Sequence, residues 1–476
     1  MTRFALLDPD HQRTFSDLTE TISGADMALR VGQVKAKLQD MGLIGAQLCV
    51  PIDAGLGAVA VVLAAIESGG RTVLVARPLA NESPDWPVFC DAVVMPPLPG
   101  APLDQMQILP LTPTRQGASH HAGQILVRSS GTTGTPKWII QSTAGMIRNS
   151  KAAAERLQMT GADRVMVPVS ISHSYGICAA FLPAVLVGAS IHVVARGNPL
   201  TIFQAQRSFE PTVMFLVPSQ CRSIMALGRK AGRLRLIVVA GDRLSPPESA
   251  LFEAAHGPLV NLYGSSEMGV ISCAFPDDPM DLRHVTAGAL VDGGALAIET
   301  DPTPDPSAEG ARPMRLVSSN GFDGYADPVT GALMTPAPEI WSTGDLVRLY
   351  DAPQGAPDAH PRIEVMGRTD HAVNRDGLLV HVGTIEGCIA TARGVSLSAV
   401  VAAGQSRRGI GLTAFCTLSR PGLATTDEIL AHCRANLAPR AVPDVLHLLA
   451  EMPMLQSGKV DRRRLLEMAA ELAPSL

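Results

Sequence analysis

Short apolar runs recur along the first two thirds of the chain, at residues 72–75, 125–127, 164–167, 191–194, 213–217 and 236–239. Stretches with helical periodicity, such as residues 143–157, lie between them. That alternation predicts an α/β fold of largely parallel sheets with helices on their faces. The longest apolar stretch, residues 54–66, is too short to span a bilayer and is ended by Glu67, so it reads as a buried helix. Two Pro-rich stretches, residues 301–307 and 352–361, read as surface loops. Gly367-Arg368-Thr369-Asp370 follows the second and marks a domain boundary. The expected organisation is a large α/β domain of stacked mixed and parallel sheets over residues 1–367. A small, mobile α+β domain follows over residues 368–476 and closes on a helix at 462–472.

Composition narrows the class. Of 476 residues, 46% are hydrophobic and 17% charged, as in a well-filled soluble globule of two or more domains. A net charge of −5 gives no reason to expect nucleic acid or an anionic membrane as partner. Acidic residues follow close behind Met1, and no apolar signal-peptide core is found there. Eight scattered cysteines without a Cys-x-x-Cys pair read as reduced core residues of a cytoplasmic protein, and no zinc site is expected. The pair His120-His121 sits in a polar loop and reads as solvent-exposed.

Candidate chemistry concentrates at Ser129, Ser130, Gly131, Thr132, Thr133, Gly134, Thr135, Pro136 and Lys137. The segment follows a strand-like run and precedes a helical pattern. Its glycines, hydroxyls and terminal cation could wrap phosphate oxygens. The P-loop NTPase spacing fails, because Gly131 is followed five residues later by Pro136 rather than by Gly-Lys-Ser/Thr. Taken alone, the segment is read equally well as an ordinary turn.

The loop resembles the phosphate-binding loop of the adenylate-forming superfamily, which comprises acyl-CoA synthetases, aryl-acid ligases, luciferases and nonribosomal adenylation domains. Four further motifs of that superfamily follow in order. Asn261-Leu262-Tyr263-Gly264-Ser265-Ser266-Glu267 is similar to its Tyr-Gly-x-Thr-Glu element, with Ser for Thr. Ser342-Thr343-Gly344-Asp345 matches Thr-Gly-Asp, and Gly367-Arg368-Thr369-Asp370 matches the Gly-Arg-x-Asp hinge, continued by Gly377 and by Ile385-Glu386. The segment from Pro453 to Arg462 matches Pro-x4-Gly-Lys-x2-Arg. The resemblance covers nearly the whole chain and is thinnest over the first hundred residues, where the region before the loop is short for an acyl-CoA synthetase.

What the resemblance implies is activation of a carboxylic acid. Attack of the carboxylate on the α-phosphate of ATP gives an acyl-adenylate and pyrophosphate, which needs two anions held together and charge neutralised at phosphorus. By resemblance, residues 129–137 hold the β- and γ-phosphates, Tyr263 stacks on adenine beside Gly264, and Gly241, Asp242 and Arg243 line the other face of the base. Ser266 keeps the hydroxyl used near the α-phosphate, and Glu267 offers a hard oxygen to Mg²⁺. Asp345 accepts from the ribose hydroxyls with Arg368 beside it. Lys459 bridges substrate carboxylate and α-phosphate in the first half-reaction. Asp370 is the hinge about which the small domain turns for the second, and Gly377 lines the thiol tunnel.

The segment from Pro168 to Gly176 resembles the element that shapes the carboxylate end of the acyl pocket, with His173 in that role. No Asp or Glu occurs between Asp163 and Glu210, which disfavours an amino-acid substrate. Val239, Ala240, Met268, Gly269 and Val270 are small or apolar and suit an uncharged acyl or aryl acid. No phosphopantetheine-bearing Gly-Gly-x-Ser serine is found, so the thiol is expected from CoA or from a separate carrier protein, with CoA favoured. Three readings stay open: an acid–thiol ligase; an adenylate-former with another outcome, such as β-lactone closure or carrier loading; and a catalytically silent nucleotide-binding relative. Glu267, Asp345 and Lys459 together argue against the last. A serine hydrolase is excluded, because Gly264-Ser265-Ser266-Glu267-Met268 lacks the second Gly of Gly-x-Ser-x-Gly.

Overall fold

The computed structural model describes residues 5–472 except 9–11, 54, 79–84, 113–122, 130–136, 195–196, 229–231, 298–310, 369–371, 376–377, 407–408 and 456–458. The chain divides into two compact units. One comprises Met1–Ala295, Val317–Glu339 and Pro353–His360; the other comprises Leu296–Leu316, Ile340–Ala352 and Pro361–Leu476. The second unit therefore begins upstream of the 367/368 boundary expected from sequence.

The first unit carries two large sheets. One orders its strands as Ala289–Leu290, Gly269–Cys273, Leu259–Ser265, Leu236–Val239, Val213–Leu216, Arg164–Val167, Ser190–Val193, Thr14–Ser16 and Thr21–Ser23. From Leu259–Ser265 to Thr14–Ser16 every pairing is parallel. Runs such as Val213–Leu216 and Leu236–Val239 are buried at every position, as parallel strands covered on both faces must be. The other sheet orders Leu333–Pro336, Gly324–Ala326, Trp138–Ser142, Gln124–Arg128, Arg71–Ala76, Gln47–Ile52, Ala92–Met95 and Gln107–Pro110. The apolar stretch read as a buried helix is the helix Leu56–Glu67, whose residues from Ala58 to Ile66 are all buried.

Sequence periodicity places a helix next after the phosphate loop. The structure inserts the strand Trp138–Ser142, antiparallel to Gln124–Arg128, before the helix Thr143–Arg156. Ser142 ends the strand and starts the helix, because its Oγ accepts from Gly145 N at 3.1 Å. The Pro-rich stretch at 301–307 and His120-His121 lie outside the described residues. No described helix is long and apolar enough to cross a membrane.

The second unit holds the antiparallel pair Trp341–Tyr350 and Arg362–Arg368. It also holds a sheet ordered Leu378–His381, Ala372–Arg375, Gly409–Leu418 and Val395–Ser406, with Val445–Leu448 beside Gly409–Leu418. The helices Val382–Ala390, Thr426–Asn436 and Arg462–Glu471 accompany that sheet. Arg375, fully buried, pairs with Asp444 at 2.8 Å and donates to Val442 O at 3.3 Å. All eight cysteines are free, seven of them buried.

Candidate active site

In open parallel sheets, ligand-binding loops gather at the carboxyl ends of the strands. The first unit obeys this rule. His173 follows Arg164–Val167, Gly241, Asp242 and Arg243 follow Leu236–Val239, and Ser266 and Glu267 follow Leu259–Ser265. His173 is exposed and opens a helical turn, its carbonyl accepting from Ile177 N at 3.0 Å. Gly241 turns the chain at φ +93°. It is exposed together with Asp242 and Arg243, and Asp242 Oδ1 accepts from Arg243 N at 2.8 Å. Beneath these loops the Tyr175 hydroxyl donates toward Val238 O (2.9 Å) and Leu216 O (3.1 Å) of neighbouring strands. Burial pushes that phenol's pKa well up, so it remains a donor.

The strands Leu259–Ser265 and Gly269–Cys273 form a hairpin whose tip carries Ser266 and Glu267, both half-buried, with Tyr263 half-buried on the strand leading to them. Two glycines shape it. A Cβ on Gly264 would lie 2.3 Å from Gly269 O, and Gly269 itself takes φ +67°. Neighbouring elements then fix the tip. Asn149, on the helix Thr143–Arg156, accepts from Val270 N and donates to Val270 O, both at 2.8 Å. Gln141 Nε2 donates to Ser266 O at 2.7 Å and Glu267 O at 3.3 Å. Ser174 Oγ donates to Ser265 O at 3.3 Å, and Ser265 Oγ accepts from Met268 N at 3.1 Å.

Tyr325 completes this arrangement. Its hydroxyl donates to Glu267 Oε1 at 3.1 Å, and Lys137 Nζ lies 4.8 Å from its ring centroid. Burial first, and the Glu267 anion second, raise the phenol's pKa far enough that it stays protonated. Gln141, Asn149 and Tyr325 belong to none of the motifs above, Ser174 follows His173 in its segment without a role of its own there, and only folding brings the four to the hairpin. Residues 130–136 lie outside the described residues, but the neck of their loop does not. Ser129 N donates to Lys137 O, and Ser129 Oγ accepts from Lys137 N, both at 2.9 Å. The loop thus springs from the end of a β-ladder, with Lys137 exposed at its base.

Magnesium binding needs hard oxygens that are not already neutralised. Glu267 meets that demand: among the described residues no Lys or Arg pairs with it, and its carboxylate is held by a neutral phenol. Among the described residues no group of three or more His, Cys, Asp or Glu could hold a metal, so further ligands would be phosphate oxygens and water.

In the second unit, Asp345 and Arg368 stand directly opposite each other across the strand pair. Arg368 Nη1 lies 3.8 Å from Asp345 Oδ1 and donates to Thr343 O at 3.2 Å. Thr343 Oγ1 accepts from Asp345 N at 3.0 Å, fixing the carboxylate's base. Gly344 takes φ +75°, and a Cβ there would meet Arg368 Nη2 at 2.9 Å. Lys459 is half-buried, its carbonyl accepting from Leu455 N at 2.7 Å. Arg462, three residues on, pairs with Glu386 at 2.7 Å and donates to Val400 O at 2.9 Å. Asp370 and Gly377 lie outside the described residues.

The loops of the first unit lie at strand ends of an α/β frame, where open parallel sheets place their ligand-binding loops. The AMP-binding enzyme family matches residues 41–312, more than half of the chain, and the AMP-binding enzyme C-terminal domain matches residues 384–459. The chain belongs to the AMP-binding enzyme family. It is similar to a 4-hydroxybenzoate–CoA/benzoate–CoA ligase of Rhodopseudomonas palustris, 27% identical over 365 residues, or 73% of this chain and 66% of that protein. It is also similar to a salicylyl-CoA synthase / salicylate adenylyltransferase of Streptomyces, 26% identical over 74% of this chain and 64% of the relative. The chain thus matches just under two thirds of each. A component of the linear gramicidin synthase of Brevibacillus parabrevis is 26% identical over 72% of this chain, which is 4% of that much longer protein. Among solved structures, an anthranilate CoA ligase in complex with anthranoyl-AMP superposes with a TM-score of 0.79 at 18% identity, covering 99% of both chains. That likeness is one of fold.

Proposed function

We propose that this chain activates an uncharged acyl or aryl carboxylic acid with ATP, releases pyrophosphate, and passes the acyl group to the thiol of CoA in the cytoplasm. The observation that carries the reading is the Glu267 carboxylate. It is presented at the hairpin tip, is ordered by Tyr325 and by the Gln141 bonds to its turn, and has no cationic partner among the described residues. Such a group is suited to a magnesium-bound polyphosphate, whose charge the ion neutralises when bound. Lys137 and residues 129–135 would bind the β- and γ-phosphates, and Tyr263 with Gly241–Arg243 the adenine. Ser266 would lie near the α-phosphate, and Asp345 with Arg368 would bind the ribose. Lys459 would supply the ammonium that offsets repulsion between carboxylate and α-phosphate. His173 would shape the acid's carboxylate end. Residues 368–476 would act as the mobile domain, hinged at Asp370, with Gly377 serving the thiol.

The 4-hydroxybenzoate and salicylate relatives support an aryl or acyl acid and a CoA acceptor. Likeness to gramicidin synthase favours, as a second reading, delivery to a separate carrier protein. The test is acid-dependent pyrophosphate release across fatty, branched and aryl acids, with and without CoA. Thioester formation with CoA is expected for at least one acid. Pyrophosphate release without any CoA thioester would favour carrier loading or another acceptor, and silence across the panel would overturn adenylation.

A further inference from the structure

Tyr325 touches both charged groups of the first unit's phosphate end, and nothing in the sequence motifs accounts for it. Resting on the ATP-dependent reading above, we infer that Tyr325 is a positioning residue that keeps Lys137 and Glu267 ordered yet un-neutralised, so that both charges remain available to a magnesium–polyphosphate.

Strand geometry puts the three side chains together. Residues directly opposite in an antiparallel pair share a face, as do alternate residues along a strand. Tyr325 stands opposite Ile139 in the pairing of Gly324–Ala326 with Trp138–Ser142. Lys137, Ile139 and Gln141 alternate along that second strand and its approach, so one sheet face carries Lys137, Gln141 and Tyr325. Gln141 binds the backbone of the hairpin tip, while Tyr325 binds the Glu267 side chain. Gly324, beside Tyr325, takes φ +149°, and a Cβ there would lie 2.2 Å from Thr335 O, so the strands approach closely at this point and only glycine fits. Phe322 packs edge-on against the Tyr325 ring, centroids 5.1 Å apart.

The chemistry explains why a tyrosine suits the place. A Lys and a Glu this close to one residue would pair directly unless something intervened. Among the described residues they do not pair. The ammonium rests on a ring face, whose quadrupole attracts it without cancelling its charge. The carboxylate takes a hydrogen bond from a neutral hydroxyl, which orients it and leaves its charge intact. An Arg or Lys in place of Tyr325 would neutralise Glu267 and repel Lys137. A Phe would leave the carboxylate unoriented.

The test compares wild type, Tyr325→Phe and Tyr325→Leu by titration calorimetry with ATP, in magnesium and in EDTA, with melting temperatures recorded for all three. Wild type is expected to bind ATP more tightly with magnesium. Tyr325→Phe keeps the ring and loses the hydroxyl, so the magnesium-dependent gain in affinity should shrink at least about fivefold, while binding in EDTA stays near wild type. Tyr325→Leu should weaken binding in both conditions. An unchanged magnesium-dependent gain in Tyr325→Phe overturns the inference, including where the melting temperature falls, since a purely structural role would lower stability without altering that ratio. Failure of the wild type itself to bind ATP would remove the ATP-dependent reading and the inference with it.

Discussion

Replacing Asn149 by Leu tests how the hairpin tip is held. Asn149 is 2% exposed and satisfies both backbone groups of Val270, each bond 2.8 Å long. Leucine has a similar size and no polar atoms, so the packing volume is nearly conserved while one buried N–H and one buried C=O lose these bonds. Leaving a buried polar group unsatisfied costs about 1–3 kcal/mol, so the pair amounts to about 2–6 kcal/mol. At about 2 °C per kcal/mol for a large unit, the lower figure lowers the first thermal transition by about 4 °C. Calorimetry measures that transition, and acid-dependent pyrophosphate release measures the consequence at Ser266 and Glu267, a few residues up the hairpin. Activity at 20 °C should fall with the ATP requirement raised, because the tip loses one of its fixed points. A transition within 1 °C of wild type would refute the reasoning, showing that water or a relaxed backbone satisfies Val270 as well as the amide does.

Lys459→Ala should slow pyrophosphate release by about a hundred- to thousand-fold while sparing thiol attack on preformed adenylate; equal loss in both steps would contradict its role. Gly344→Ala places a Cβ 2.9 Å from Arg368 Nη2 at φ +75°. Backbone strain of about 1–2 kcal/mol and a displaced guanidinium should raise the KM for ATP about tenfold and leave that for the acid unchanged, as steady-state kinetics would show. His192 is buried, its Nδ1 2.8 Å from Ser16 Oγ, and burial pushes its pKa down to about 4, opposed weakly by Asp17. The unfolded state, with an ordinary histidine, binds the proton first. Stability is therefore present above about pH 6.5 and is lost as pH falls toward 4, about 2 kcal/mol of it by pH 5. Urea unfolding at pH 7 and pH 5 should show that loss in wild type and a smaller one in His192→Gln.

Much of the architecture was legible because its elements declare themselves locally. The strands Val213–Leu216 and Leu236–Val239 are uninterrupted apolar runs, Arg164–Val167 is apolar after its first residue, and the helix Leu56–Glu67 is apolar on nearly every side. The strand Trp138–Ser142 was not legible. It runs directly into the helix pattern that starts at Thr143 and is defined by pairing with Gln124–Arg128 and Gly324–Ala326, the latter almost two hundred residues away. The C-terminal sheet was foreseen only as α+β, since long-range pairings such as Gly409–Leu418 with Val445–Leu448 leave no local pattern.

The sequence by itself determined which chemical groups are present and in what order: a glycine- and threonine-rich loop ending in Lys137, a Tyr-Gly-Ser-Ser-Glu run bearing Ser266 and Glu267, Asp345 and Arg368 in successive motifs, and a late Lys459. These are short segments whose function needs a local backbone shape, so their residue types recur together and can be read. Tertiary structure alone decided what surrounds them. Gln141, Asn149, Ser174 and Tyr325 reach the hairpin tip across separations of 58–126 residues. A supporting hydrogen bond requires only a donor at the right point in space, which many residue types and sequence positions can supply. Such partners therefore leave no spacing to recognise, and they become visible only when two sheets bring them together.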